Sequence, residues 1–254
     1  MRLLYTASNG RLRWSKDYIG SEEIPPYAIL SHTWQEGQEV TFDDLKNLDE
    51  VKGVDVESKL GFRKISFCAR QAKRNGLDYF WIDTCCIDKS NSSELQEAIN
   101  SMFDWYHNAK KCYVYLSDVE NNAVDEDGQS SQRWNAVFKK CRWFTRGWTL
   151  QELLAPESVE FFSKEGKWLG DKKTLGCTIH EITGIPINAL SESRLSEFSV
   201  ADRFSWTANR QTTREEDEVY CLLGIFNIHL PLIYGERRLG AMRRLLNEIE
   251  APAM

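Results

Sequence analysis

Residues 142–156 read RWFTRGWTLQELLAP, and one acid in them can do chemistry: Glu152, set between Leu150 and the pair Leu153 and Leu154. Gly147 loosens the entry to a short helix predicted over 147–154. Trp148 and Glu152 are four residues apart and so share a face of that helix. A carboxylate on an apolar helix loses its hydration and needs a partner. Two outcomes are open. One is an ion pair, with Arg146 the nearest candidate. The other is a carboxylate facing a hollow, where burial tunes its pKa for chemistry.

Other segments offer groups of the right type. YAILSHTW (27–34) ends a buried run on Ser31, His32 and Trp34. The hydroxyl and imidazole can bond a ligand and the indole can stack on it. Equally, the Trp can cap the core and the His can be satisfied by backbone. FWIDTCCIDK (80–89) places Asp83 at a strand end, where a carboxylate binds ribose hydroxyls, positions a base or caps a turn. Cys85 or Cys86 as a nucleophile would need a base that no spacing identifies, so both read as buried thiols. Arg203, Arg210 and Arg214 surround a predicted helix start with Thr212, Thr213, Glu215, Glu216 and Asp217. That is an anion site or a set of caps and surface ion pairs. No metal site is expected, because there is no C-x-x-C and the four His are scattered. Neither G-x-G-x-x-G nor G-x-x-x-x-G-K-[ST] occurs.

The elements that must position these groups follow from hydrophobic period. Apolar runs at 27–31, 79–82, 111–117 and 159–162 read as buried strands. Between the first two lies a helix from 58, with Leu60, Ile65, Cys68, Ala69 and Ala72 on one face and Gly76 as its C′ residue. Between the next two lies a helix opened by a Ser93–Gln96 capping box, with Leu95, Ala98, Ile99, Met102, Tyr106 and Ala109 inward. Short helices are predicted over 42–48 and 134–141. Residues 118–132 are acidic and polar and read as an exposed loop. Beyond 170 the pattern is helical over 171–182, 199–210, 213–224 and 236–249, with a second capping box at Thr213–Glu216 and a stop at Gly184 and Pro186. The fold class is therefore α/β: a parallel sheet flanked by helices, with an added helical C-terminal part. One domain is expected, a core over 1–170 and a helical extension over 171–254 packed on it. Ligands bind such sheets beyond the carboxyl ends of the strands. That rule nominates Ser31, His32, Trp34, residues 83–88, Ser117 and Asp118.

Composition bounds the partners. The chain has 254 residues, enough for a sizeable core, and a net charge of −6, which argues against a nucleic-acid module. Nine Trp, nine Tyr and twelve Phe leave many faces for packing or stacking. Seven Cys, an odd number without framework spacing, suit reduced thiols and a cytoplasmic location. No signal peptide and no membrane span is read in the chain.

Taken in order, YAILSHTW, FWIDTCCIDK, SELQEAINSMFDWY (93–106), RWFTRGWTLQELLAP and RFSWTANRQTTREEDEVYCLLGIF…LPLIYGE (203–236) resemble the fungal heterokaryon-incompatibility (HET) domain, of the HET-E/HET-D type. The resemblance implies a cell-death effector that acts when clustered, so self-association is expected, and attachment to NACHT and WD-repeat regions in a longer protein. The family is distantly similar to TIR domains, which implies a flavodoxin-like, TIR-like core. Many TIR domains cleave NAD⁺ with a glutamate placed as Glu152 is in W-x-x-x-E from Trp148. The implied substrate is NAD⁺ or a related nucleotide, with no bound cofactor. Glu152 would steady the developing sugar cation. Trp34 or Trp148 would stack on nicotinamide, Ser31, His32 and Asp83 would orient ribose, and Arg146, Arg210 or Arg214 would meet the diphosphate. The competing expectation is a non-enzymatic interaction module with a Trp-rich interface.

Overall fold

The computed structural model describes residues 1–20, 22–46, 56–120, 133–191 and 194–251. Most of the loop expected over 118–132 lies outside the described residues.

Seven strands form one sheet: β1 (Leu4–Thr6), β2 (Leu12–Trp14), β3 (Tyr27–His32), β4 (Tyr79–Trp81), β5 (Lys111–Tyr115), β6 (Val159–Phe162) and β7 (Trp168–Asp171). Their order is β2-β1-β4-β3-β5-β6-β7. The central four, β4-β3-β5-β6, are parallel. In chain order they lie second, first, third, fourth, the arrangement of flavodoxin-like sheets. Such a sheet reverses its winding between its first and third strands, here β3 and β5, and opens a crevice beyond their carboxyl ends. All six residues of β3 are buried, as expected for a strand with helices over both faces.

The outer strands were not foreseen. β1 and β2 pair antiparallel, β1 adds antiparallel to β4, and β7 adds antiparallel to β6. The sheet is therefore mixed rather than all parallel. Each added strand has only three or four residues, too few to show a period.

Twelve α-helices surround the sheet among the described residues: α1 (Phe42–Lys46), α2 (Leu60–Arg74), α3 (Asp83–Cys86), α4 (Ser92–Asn108), α5 (Arg133–Phe138), α6 (Thr149–Leu154), α7 (Gly176–Thr183), α8 (Ile187–Ser191), α9 (Val200–Ser205), α10 (Asp217–Tyr220), α11 (Leu223–Phe226) and α12 (Arg237–Glu250). On one face α2 seats Phe67 among Tyr113, Tyr115 and Phe162, with ring centroids 5.0–6.4 Å apart. On the other, α4 and α6 pack together and α6 lies on β3. The C-terminal helices close on α4 through Gly224, where a Cβ would stand 2.1 Å from that of Phe103. Among the described residues no helix is long and apolar enough to cross a membrane.

Several local expectations are corrected. The N-cap of α4 is Asn91, whose side chain accepts from the amides of Ser93 and Glu94, not Ser93 itself. Leu60 begins α2 at 40 % exposure, while Lys64 lies on the buried face. The box expected at Thr213 is absent, and Ser199 with Asp202 forms one at α9 instead. The helix expected over 213–224 is two short turns, α10 and α11, and that over 171–182 starts only at Gly176 because β7 precedes it. Gly76 (φ +71°) and Gly184 (φ +70°) take the left-handed conformation expected of helix ends.

Candidate functional site

Successive side chains of a strand point to opposite faces. At the end of β3 this separates Ser31, which turns toward α6, from His32, which turns toward α2. Two polar groups of residues result, and they meet over the strand ends.

On the α6 side stands Glu152, 8 % exposed. Ser31, 121 residues away in sequence, donates its hydroxyl proton to Glu152 Oε2 in a short hydrogen bond. Trp143 Nε1 donates to Ser31 Oγ at 2.7 Å. The Tyr106 hydroxyl donates to the carbonyl of Leu30 at 3.1 Å and, near the Glu152 carboxyl, favours its ionised form. Among the described residues no salt bridge reaches Glu152, so the ion pair with Arg146 is not formed. The Arg146 guanidinium donates to Thr213 Oγ1 at 3.1 Å instead. The basic neighbour is Arg210, whose Nη1 donates to the Arg146 carbonyl (2.8 Å) and to Thr149 Oγ1 (2.7 Å), while its buried Nη2 has no partner among the described residues. Burial pushes the Glu152 pKa up to about 8 and the charge of Asp83 adds to the rise; the Ser31 hydrogen bond, Tyr106 and Arg210 only partly oppose it. Burial likewise brings the Arg210 pKa down to about 10.

On the α2 side His32 is buried, and neither ring nitrogen has a hydrogen-bond partner among the described residues. Its Nε2 lies 3.6 Å from Glu39 Oε2 and 4.0 Å from Asp83 Oδ1. Lys64 Nζ donates to Glu39 Oε1 and, at 3.0 Å, to the carbonyl of Thr33. Burial alone would raise the Glu39 pKa, but His32 and Lys64 outweigh it and hold it at about 2. Asp83 heads α3 and bridges the two groups, close to His32 and felt electrostatically at Glu152. Trp34, 46 % exposed, stands at the same strand ends.

The remaining candidates sit apart. Trp148 precedes α6 and lies beside Asp217, whose ionised form it favours. The exposed Arg214 lays its guanidinium over Tyr234 at 4.2 Å. The structure thus gathers Ser31, His32, Trp34, Asp83, Glu152 and Arg210 around the carboxyl ends of β3 and β4. It places the Arg146 side chain, Trp148 and Arg214 by Thr213, Asp217 and Tyr234. A cavity of about 260 Å³ lies elsewhere, between the N-terminal residues and α4, lined by Met1, Arg2, Ile19, Glu94 and Trp105. Of the nominated residues only Cys86 and Ile87, from the segment after β4, reach it.

Sequence reasoning overlooked Trp143, Tyr106, Glu39 and Lys64. Trp143 carried a signal, since a buried indole N–H needs an acceptor. Lys64 carried another, four residues before Cys68 on the same helical face. Lys172 had none without β7. Its buried ammonium donates to the carbonyls of Pro156 (2.6 Å) and Leu153 (3.4 Å), which ties down the end of α6, and burial brings its pKa down to about 8.

Ser31→Ala tests the coupling. It removes the hydrogen bond that favours ionised Glu152. A bond to a charged group is worth about 1.5 kcal/mol or more, so the Glu152 pKa is expected to rise by about one further unit. NMR titration of the carboxyl checks this; an unchanged midpoint would refute the coupling.

A flavodoxin-like α/β domain with a desolvated carboxyl beside its switch point is the class that fold and site define. Among known proteins, the model for the family "Heterokaryon incompatibility protein (HET)" matches residues 27–133. The chain is also 58 % identical over 250 residues to Vegetative incompatibility protein HET-E-1 of Podospora anserina, a match covering 98 % of this chain and 18 % of that protein. The chain carries a heterokaryon-incompatibility (HET) domain of the HET-E type. It spans less than a fifth of the length of that relative. No solved structure matches it significantly.

Proposed function

We propose that this domain is a cell-death effector of fungal non-self recognition and that, when clustered, it hydrolyses NAD⁺ to nicotinamide and an ADP-ribose product. The observation that carries the reading is Glu152: a carboxyl stripped of water, without a salt bridge among the described residues, beside the switch point of the sheet. Such a group costs stability, and perturbed carboxyls of this kind concentrate at reactive sites.

In the reaction the ribose C1′–nitrogen bond breaks, its electron pair neutralises the nicotinamide ring, and water adds at C1′ with loss of a proton. The protein's work is to steady the oxocarbenium-like sugar between these events. Ionised Glu152 does so in a site where little water screens it. In the free protein its raised pKa leaves it largely protonated at neutral pH. The cationic nicotinamide ring of the approaching substrate favours ionisation, because a nearby positive charge stabilises the carboxylate. Ser31, held by Trp143, fixes the orientation of the carboxylate, Asp83 faces the ribose, and Arg210 is the arginine nearest to serve the diphosphate.

One observation favours a different reading. At 8 % exposure Glu152 meets a bulky ligand only if the groups around it part. A non-enzymatic module, in which clustering recruits a partner, needs no such opening. Glu152→Gln separates the two. Concentrated or artificially clustered protein is incubated with NAD⁺ and free nicotinamide is measured. Release is expected from the parent, with a loss of at least about 100-fold in Glu152→Gln, the scale of removing one transition-state stabiliser. A Glu152→Gln chain that still assembles and still kills cells would establish the scaffold reading instead.

A further inference from the structure

The exposed indole of Trp34 already carries a cation. Lys89 Nζ stands 3.5 Å from the ring centroid and 3.8 Å from Asp83 Oδ2. The segment beneath is fixed, since Arg142 Nη1 donates to the Trp34 carbonyl at 3.0 Å. An electron-rich ring face with a carboxylate beside it is a general device for holding positive charge. Here that device is filled by the chain's own lysine.

A lysine is a poor permanent tenant of such a place. Its ammonium is compact and strongly hydrated, it hangs on a flexible stem, and a partly exposed cation–π contact gains only about 0.5–1 kcal/mol. A planar cationic ring lays far more area on the indole and carries its charge in a weakly hydrated form. We infer that Trp34 and Asp83 form a subsite for a planar cationic ring of the pyridinium class, and that Lys89 is its resident competitor, displaced when the ring seats. The subsite stands on these three residues alone; only the naming of its natural ligand as oxidised nicotinamide rests on the function proposed above.

Two consequences follow from charge. The oxidised nicotinamide ring is cationic and the reduced ring is neutral, so the subsite selects the oxidised form. Cleavage of the C1′–nitrogen bond returns an electron pair to the ring and cancels its charge. Product formation therefore removes the attraction that held the ring, and Lys89 can return.

The test uses 1-methylnicotinamide as the cationic probe and nicotinamide as its neutral counterpart, with affinities measured by ligand-observed NMR. Both Trp34 and Lys89 reach the surface, so Lys89→Met and Trp34→Leu are expected to melt with the parent. The parent is expected to bind the cationic ring at least about threefold more tightly than the neutral one, the yield of one exposed cation–π contact. Lys89→Met should tighten the cationic probe about threefold to fivefold and the neutral one by less, because both are freed of the competitor and only the cation also escapes its like charge. Trp34→Leu should erase the preference. Unchanged or weaker binding of the cation in Lys89→Met, or equal binding of the two probes, overturns the subsite. NAD⁺ turnover is read separately. Cation selectivity without cleavage would sustain the subsite and remove the hydrolase, whereas cleavage with the KM of Lys89→Met and Trp34→Leu equal to the parent's would do the reverse.

Discussion

Glu152→Gln is expected to melt above the parent at pH 8.5 and to lose that advantage by pH 5. The folded-state pKa of Glu152 is raised from 4.5 to about 8 by burial. Between those values the folded chain keeps a proton that the unfolded chain has released, so stability falls as pH rises through the window and levels off above it. At 1.36 kcal/mol per pKa unit, the full descent is on the order of 5 kcal/mol. Gln takes no part in it. Its carbonyl accepts from Ser31 as the carboxyl does, and its amide can donate to the Tyr106 oxygen, although the second N–H is left without a partner at a cost of about 1–3 kcal/mol. The net gain at pH 8.5 is then about 2–4 kcal/mol, or roughly 4–16 °C in Tm for a chain of this size. Melting curves of both proteins from pH 4.5 to 9 decide the matter; parallel curves would show that Glu152 ionises freely. A variant that gains stability while losing nicotinamide release would mark Glu152 as a residue kept for chemistry at the expense of the fold.

Lys64→Met should have the opposite and larger effect. Lys64 is 3 % exposed and fills two acceptors, Glu39 Oε1 and the Thr33 carbonyl. Burial pulls its own pKa down against the pull of Glu39 and Asp83, which is the mark of an ammonium held in a dry place by its partners. Met fills the volume but strands the Glu39 carboxylate beside His32. Breaking a buried pair by removing one member costs about 3–5 kcal/mol, here about 10 °C in Tm. The double variant Lys64→Met/Glu39→Gln should recover much of the loss, because no uncompensated charge remains and the Gln carbonyl still accepts from the amide of Gln35, as Glu39 does at 2.8 Å. Chemical denaturation of the two singles and the double measures the coupling; a Lys64→Met loss below about 1 kcal/mol, the worth of a surface pair, would deny the pair its role. Glu39 also sets the acid limb. Its pKa, held near 2, contributes stability that is complete above about 4.5 and lost as pH falls through 2. Glu39 and Glu152 therefore slope in opposite directions, and together they favour a stability maximum near pH 4.5–5.

The amino-acid sequence by itself determined the parallel core. The runs that became β3, β4, β5 and β6 are apolar and bounded by turn residues, and the faces of α2 and α4 repeat at helical spacing, so local pattern and burial agree. It also determined that Glu152 would be an anomaly, because leucines flank it. Tertiary structure alone decided the rest. β1, β2 and β7 are extended because a neighbouring strand pairs with them, and nothing in three or four residues encodes that neighbour. The partner of Glu152 is Ser31 rather than nearby Arg146, because the winding of the sheet brings the end of β3 against α6 while Arg146 turns to Thr213. Ser31 and His32 adjoin in sequence yet serve different clusters, since the pleat sends them to opposite faces, and Lys64 reaches Glu39 only because α2 crosses that face. Hydrophobic period is a property of each segment and can be read there, whereas the partner of a buried charge depends on which segments the folded chain brings together.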